Sequence, residues 1–253
     1  MKRRTYLGAS GIGALSTLAG CLDSLGAIGA GDGSDETVLD PPEQTRGEPI
    51  HPIHGDPIPA YSVPDALSGE TVSDEDFRDE RAQLYTFVYT NCVMGACPAM
   101  LQQLVTVNLA VRDEGYRDEA AFLPVTFDPE RDTTEVLRNY VTNFGIDRTA
   151  DDWYFLRPET YEAAEELVMT PKSEGGFGLP IEKAPVEELT GDDGGDNESD
   201  GNTSSSTDLE YGFTHYALIL LVNEQGIVER SYPNATSVPP SRIQDDMLTV
   251  LEG

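Results

Sequence analysis

The densest apolar run in the chain, Leu-Tyr-Thr-Phe-Val-Tyr-Thr at residues 84–90, is aromatic and β-branched and predicts a buried strand. Beyond it, Pro98 opens a segment whose Leu101, Leu104, Val107 and Val111 recur at helical spacing, with proline suited to the first turn. Residues 120–127 return to a strand pattern. The run Asp132-Thr133-Thr134-Glu135 then reads as a helix cap with an acid three residues on, before a helix facing inward through Val136, Leu137, Tyr140, Val141 and Phe144. A third strand is expected at 153–156 and a helix at 158–168. Residues 216–222 and 227–232 predict a hairpin around Asn223-Glu224-Gln225-Gly226, and 239–251 a closing helix.

Strands joined by helices must pair in parallel, while a hairpin adds antiparallel pairing. The expected architecture is therefore α/β, with a central mixed sheet flanked by helices over residues 58–253. Residues 21–57 are rich in Gly, Asp, Glu and Pro without apolar periodicity, the composition of a flexible tether. Residues 187–208 read as a disordered acidic insertion in the domain. Asn197, Asn202 and Asn234 each begin an Asn-x-Ser/Thr acceptor, which marks them as candidate glycosylation sites of an exported chain.

The chain sets 46 acidic side chains against 16 basic ones, a formal charge of −30. That balance argues against any role that neutralises phosphates, so nucleic-acid binding is excluded. The acidity extends well beyond the insertion and suits a surface that stays soluble in strong brine, as in a salt-loving microbe.

The N-terminus changes the picture again. Lys2-Arg3-Arg4 precedes an uncharged run at residues 6–19 that is too short to span a bilayer. Arg3-Arg4-Thr5-Tyr6-Leu7 resembles a twin-arginine export signal, and Leu18-Ala19-Gly20-Cys21 resembles a lipobox. Residues 1–20 are therefore expected to be a signal peptide and Cys21 a lipidated residue that anchors the domain to the outer face of the cytoplasmic membrane. Of three cysteines, this leaves Cys92 and Cys97 as the thiol pair of the exported domain.

Both cysteines fall where the first strand hands over to a helix, and a helix N-terminus stabilises the thiolate that attacks disulfides or binds soft metals. A structural disulfide is the plainer alternative, although closing so short a loop stabilises a fold little. The order of strand, cysteine pair, helix, strand, helix, hairpin and helix resembles a thioredoxin-like domain. It departs from thioredoxin in placing four residues between the cysteines and in having Thr214-His215, with no proline, ahead of the hairpin.

Three motifs carry a narrower likeness: residues 86–92 with Cys97-Pro98, the run Asp128-Pro129-Glu130-Arg131-Asp132-Thr133, and His215 ahead of an apolar strand and its Gly226 turn. Together they resemble the SCO/SenC family of copper-binding, thioredoxin-fold proteins that serve cytochrome c oxidase assembly. The resemblance implies copper, Cu(I) or Cu(II), held by Cys92, Cys97 and His215, two soft thiolates and an imidazole. It also implies a copper-A-bearing oxidase subunit as the partner and a metallochaperone as the function. A thiol–disulfide reductase using Cys92 and Cys97 as its redox pair is the alternative, and zinc would also suit the ligand types. One departure stands out: the family usually has three residues between its cysteines, and this chain has four. Among other candidates, Met94 offers a soft thioether, Asp128 is placed to orient the cysteine loop, and His51 and His54 belong to a proline-rich linker outside the site.

Overall fold

The computed structural model describes residues 37–44, 47–190 and 210–253. The expected signal peptide, Cys21, Asn197, Asn202 and most of the acidic insertion lie outside the described residues.

Strands β1 (Ser62–Pro64) and β2 (Thr71–Ser73) form a small antiparallel ribbon. Strand β3 (Ala82–Val88), helix α1 (Ala96–Glu114) and strand β4 (Ala120–Thr126) follow as a crossover unit whose two strands pair in parallel. Next come α2 (Thr134–Thr142), α3 (Tyr161–Ala164), β5 (Ile181–Pro185), α4 (Val186–Thr190) and β6 (Tyr211–His215). The chain closes with β7 (Leu218–Val222), β8 (Val228–Pro233) and α5 (Pro240–Glu252). The central sheet runs β4-β3-β7-β8, with the terminal hairpin antiparallel to β3, so it is the expected mixed sheet. Every residue of β3 and β4 is buried, as strands covered on both faces must be. Helix α1 contributes Met100, Leu101, Leu104, Val107 and Val111 to the core and packs against α5. No helix of the described residues is long and apolar enough to cross a membrane.

Three expectations are revised, and one ribbon is an addition to them. The strand expected at 153–156 lies beside β4 through Phe122 N–H to Asp152 O, Tyr154 N–H to Phe122 O, Leu156 N–H to Pro124 O and Thr126 N–H to Leu156 O. The bond missing from that parallel series is the one Pro124, with no N–H, would donate, so only isolated bridges form. The helix expected at 158–168 is confined to α3 and a π-helical turn, Glu165–Met169. Strands β5 and β6 form a second antiparallel ribbon, and His215 is the last residue of β6. In the third revision, the described part of the expected tether is docked on the domain. Leu39 joins the core, Val38 and Leu39 donate their N–H groups to the buried Glu229 carboxylate, and Gly55 N–H bonds Val228 O.

Candidate metal centre

Strand β3 ends at Val88, and the loop that follows turns into α1 at Gly95, whose φ of 72° lies in the left-handed region that glycine adopts freely. The helix begins at Ala96, two residues before the expected start at Pro98. Cys97 therefore sits inside the first turn and is fully buried, while Cys92 is half-buried in the loop. Gly95 has no side chain with which to cap the helix, and no acidic residue occupies the first turn. Cys92 Sγ takes that role, accepting the Cys97 N–H at 3.5 Å.

The histidine arrives from the ribbon. His215 Nε2 lies 3.3 Å from Cys97 Sγ, and its Nδ1 lies 3.0 Å from the Tyr216 carbonyl oxygen. A carbonyl can only accept, which assigns the proton to Nδ1 and leaves the Nε2 lone pair free to ligate. The ring packs edgewise on Phe127 and Tyr89, at centroid separations of 4.9 and 6.0 Å. One ligand atom from each of Cys92, Cys97 and His215 falls within 4.8 Å of the others, and this is the only such group of three among the described residues.

The two thiols are electrostatically unequal. The Cys97 thiol donates to Cys92 and pulls the Cys92 thiol down to about 4 against the effect of burial, with the Cys97 N–H adding to the pull. Burial, reinforced by the neighbouring Cys92 thiolate, pushes Cys97 well above the ordinary thiol value. The arrangement is a half-exposed thiolate backed by a buried, protonated thiol.

The loop after β4 braces the centre, by a residue the sequence assigned to another task. Asp132 was expected to begin the helix cap, but the cap of α2 is Thr133, whose Oγ1 accepts the Val136 N–H. Asp132 instead accepts the Thr90 N–H at 3.2 Å, the Thr90 hydroxyl, and the Thr126 hydroxyl at 2.5 Å. It ties the end of β4 to the root of the cysteine loop, and burial pushes its carboxyl up to about 6. Asp128 does not reach that loop; its carboxylate accepts the Tyr211 hydroxyl at 3.0 Å, at the start of β6. Sequence reasoning also passed over Tyr89, whose hydroxyl accepts the Phe213 N–H at 3.3 Å and faces the Phe213 carbonyl at 3.4 Å. The available signal was two cap-type residues, Asp132 and Thr133, where one suffices.

Met94 is 67% exposed, whereas Met100 is fully buried and accepts the Thr86 hydroxyl. His51 and His54 stand apart from this group, bonded to Pro52 O and Leu39 O.

Residues 59–150 match the SCO1/SenC family model, a span that includes both cysteines and the 128–133 loop and stops short of His215. No curated protein matches the chain in sequence. Among solved structures, a SCO1/SenC family lipoprotein from Bacillus anthracis is similar at 18% identity and a TM-score of 0.56, over 77% of this chain and 94% of that one. ScoI from Bradyrhizobium japonicum, solved with copper bound, is similar at 21% and 0.52, over 76% and 99% of the two chains. BsSco, described as having a disulfide switch and as a member of the Sco family of cytochrome c oxidase assembly proteins, gives 19% and 0.55 over 83% and 99%. At these identities the structural likeness speaks for the fold, which is thioredoxin-like. The stretch that matches the SCO1/SenC family model, residues 59–150, lies within that fold and carries both cysteines.

Proposed function

We propose that this protein is a copper-binding metallochaperone that assists assembly of the copper-A centre of a cytochrome c oxidase, carrying one copper ion on Cys92 Sγ, Cys97 Sγ and His215 Nε2. The observation that carries the reading is the convergence of three soft or borderline ligand atoms within 4.8 Å. Cys92 serves as the exchange ligand, because it is the half-exposed thiolate and faces an incoming donor or acceptor. Cys97, buried at the base of α1, releases its proton as copper arrives, so capture strengthens as pH rises. His215 presents a bare Nε2 because Tyr216 O holds the proton on Nδ1. The partner is the oxidase subunit that bears the copper-A site. In this reading, residues 1–20 direct export and a lipid on Cys21 holds the domain at the outer face of the cytoplasmic membrane.

The inequality of the thiols favours a second reading, a thiol–disulfide reductase for the oxidase subunit's own cysteines. The Cys92 thiolate attacks one sulfur of the partner disulfide and expels the other as a thiolate. Cys97 then gives up its proton and attacks Cys92 Sγ, which leaves the partner as a dithiol and this chain with a Cys92–Cys97 disulfide.

The test is copper stoichiometry in the reduced chain at high salt, for the native sequence, Cys92→Ser and His215→Ala. One copper per native chain is expected, with a thiolate charge-transfer band for Cu(II). His215→Ala should lose that copper and keep dithiol exchange, and Cys92→Ser should lose both. Native protein that folds, is reduced and binds no copper would transfer the assignment to the reductase.

A further inference from the structure

The ribbon of β5 and β6 shares no strand ladder with the central sheet. Its last residue, His215, nevertheless meets cysteines that belong to the junction of β3 with α1. The ribbon reaches that sheet through only Tyr216 and Ala217, which lead into β7, and side chains supply further ties between the two halves of the centre. The Tyr89 hydroxyl is one such tie, at Phe213. Arg131 is another, at the start of β6.

The Arg131 guanidinium donates through Nε to the Asp128 carboxylate and through Nη1 to the Tyr211 carbonyl oxygen at 2.8 Å. Its Cζ stands 3.7 Å from the centre of the Tyr211 ring, and the Tyr211 hydroxyl returns to Asp128. Arg131, Asp128 and Tyr211 thus close a triangle of hydrogen bonds and one stacked cation, and Lys183 of β5 lies over the same ring at 3.7 Å. Only 19% of the Arg131 side chain is exposed, in a chain whose surface acids far outnumber its bases. A cation needed merely to balance surface charge would sit outside. Donating along two directions while stacking on a ring requires a planar fork, which lysine lacks. The next residue, Asp132, grips the cysteine loop at Thr90, so adjacent side chains of one loop hold both halves of the ligand set.

We propose that Arg131 is a positioning residue of the copper centre: by pinning Tyr211 it fixes the start of the five-residue strand β6 and thereby the reach of His215 Nε2 toward Cys97 Sγ. The proposal rests on the copper-binding reading above, and its test includes a readout that needs no copper. The chain has three histidines, so the His215 imidazole resonances are identified by comparison with His215→Ala. In Arg131→Lys and Arg131→Gln, those resonances should shift in the copper-free protein. Cu(II) affinity should fall about tenfold or more, as for other residues that orient a metal ligand. The Cu(II) spectrum should move toward that of His215→Ala, while the alkylation rate of Cys92 stays native. Tyr211→Leu, which removes the ring and the Asp128 bond but keeps the main-chain carbonyl, should give the same changes and replaces any Arg131 variant that fails to fold. Folded variants with native His215 resonances and native Cu(II) affinity overturn the proposal. If the native chain itself binds no copper, the copper reading fails, and the imidazole resonances still decide whether Arg131 positions His215.

Discussion

Cys92 Sγ caps the helix that carries Cys97, accepting the Cys97 N–H at 3.5 Å. The two cysteines are thereby linked through the backbone of α1 as well as through their thiols, and the helix end favours negative charge on Cys92. One consequence is a separation of reactivity by pH. With Cys92 drawn down to about 4 and Cys97 pushed up, iodoacetamide at pH 6 should modify Cys92 almost exclusively. Cys97→Ala removes the largest cause of the lowering, so alkylation of Cys92 should then require a more alkaline pH. Mass mapping of the labelled peptides against pH is the measurement, and equal labelling of both cysteines at pH 6 would refute the assignment. The linkage has a definite sign. A thiol lowered by folding contributes stability above its unfolded value of 9.0 and loses it as pH falls through about 4.

The pattern of the chain disclosed the parts of this centre that are built from strong local signals. Strand β3 was legible because all seven of its residues are buried and most are apolar, and the hairpin β7–β8 because a glycine turn separates two apolar runs. His215 became a candidate only through family resemblance, since a lone histidine carries no periodic signal. Strands β5 and β6 escaped because Ile181-Glu182-Lys183-Ala184-Pro185 alternates in no useful way and stays largely exposed. Residues 37–44 and 47–57 escaped for a different reason: much of what holds them is main-chain N–H donation to Glu229 and to carbonyls of the domain, which hydropathy does not register.

Asp132 should make the root of the cysteine loop sensitive to pH. Its carboxyl rises from 3.8 to about 6 on folding, chiefly through burial. A group raised by folding favours the folded state fully below its unfolded value and loses that contribution as pH increases through its folded value. This contribution therefore fades between about pH 4 and pH 6. Asp132→Asn should flatten that window in chemical denaturation curves. Asp132→Ala leaves the part-buried Thr90 N–H and hydroxyl and the buried Thr126 hydroxyl without their acceptor, and an unsatisfied buried group such as the last costs about 1–3 kcal/mol. A loss below about 1 kcal/mol in Asp132→Ala would show that water replaces the carboxylate.

Glu229 fastens the segment that leads into the domain. Its buried carboxylate accepts the N–H groups of Val38 and Leu39 and the Asn223 side-chain amide. Glu229→Gln replaces one acceptor oxygen by a donor that must face another N–H, so residues 37–44 should detach before the core yields. Limited proteolysis should then cleave near Leu39 in the variant and spare the native chain. Copper stoichiometry should not change, because Glu229 lies on β8 and the ligands do not. Equal resistance of the two proteins to protease would mean that the packing of Leu39 alone holds the segment.

The four-residue spacing between the cysteines is accommodated at two adjacent positions. Met94 turns out to solvent, and Gly95 takes a left-handed conformation that lets the chain enter α1 with the ligand atoms still within 4.8 Å. Gly95→Ala isolates the second of these. A Cβ there meets nothing within 4 Å, so the substitution introduces backbone strain without a clash. The left-handed conformation costs a non-glycine residue about 1–2 kcal/mol. That is small beside the packing of α1, which anchors the loop through Cys97, Met100 and Leu101. The helix should therefore hold the substituted position in its left-handed conformation, stability should fall by about 1–2 kcal/mol, and the pH profile of Cys92 alkylation should be unchanged. If the strain were relieved by moving the loop, the Cys97 N–H would leave Cys92 Sγ and the profile would shift to higher pH. Thermal unfolding and alkylation of the same preparation distinguish these outcomes, and a shifted profile would show that Gly95 sets the thiolate as well as the turn.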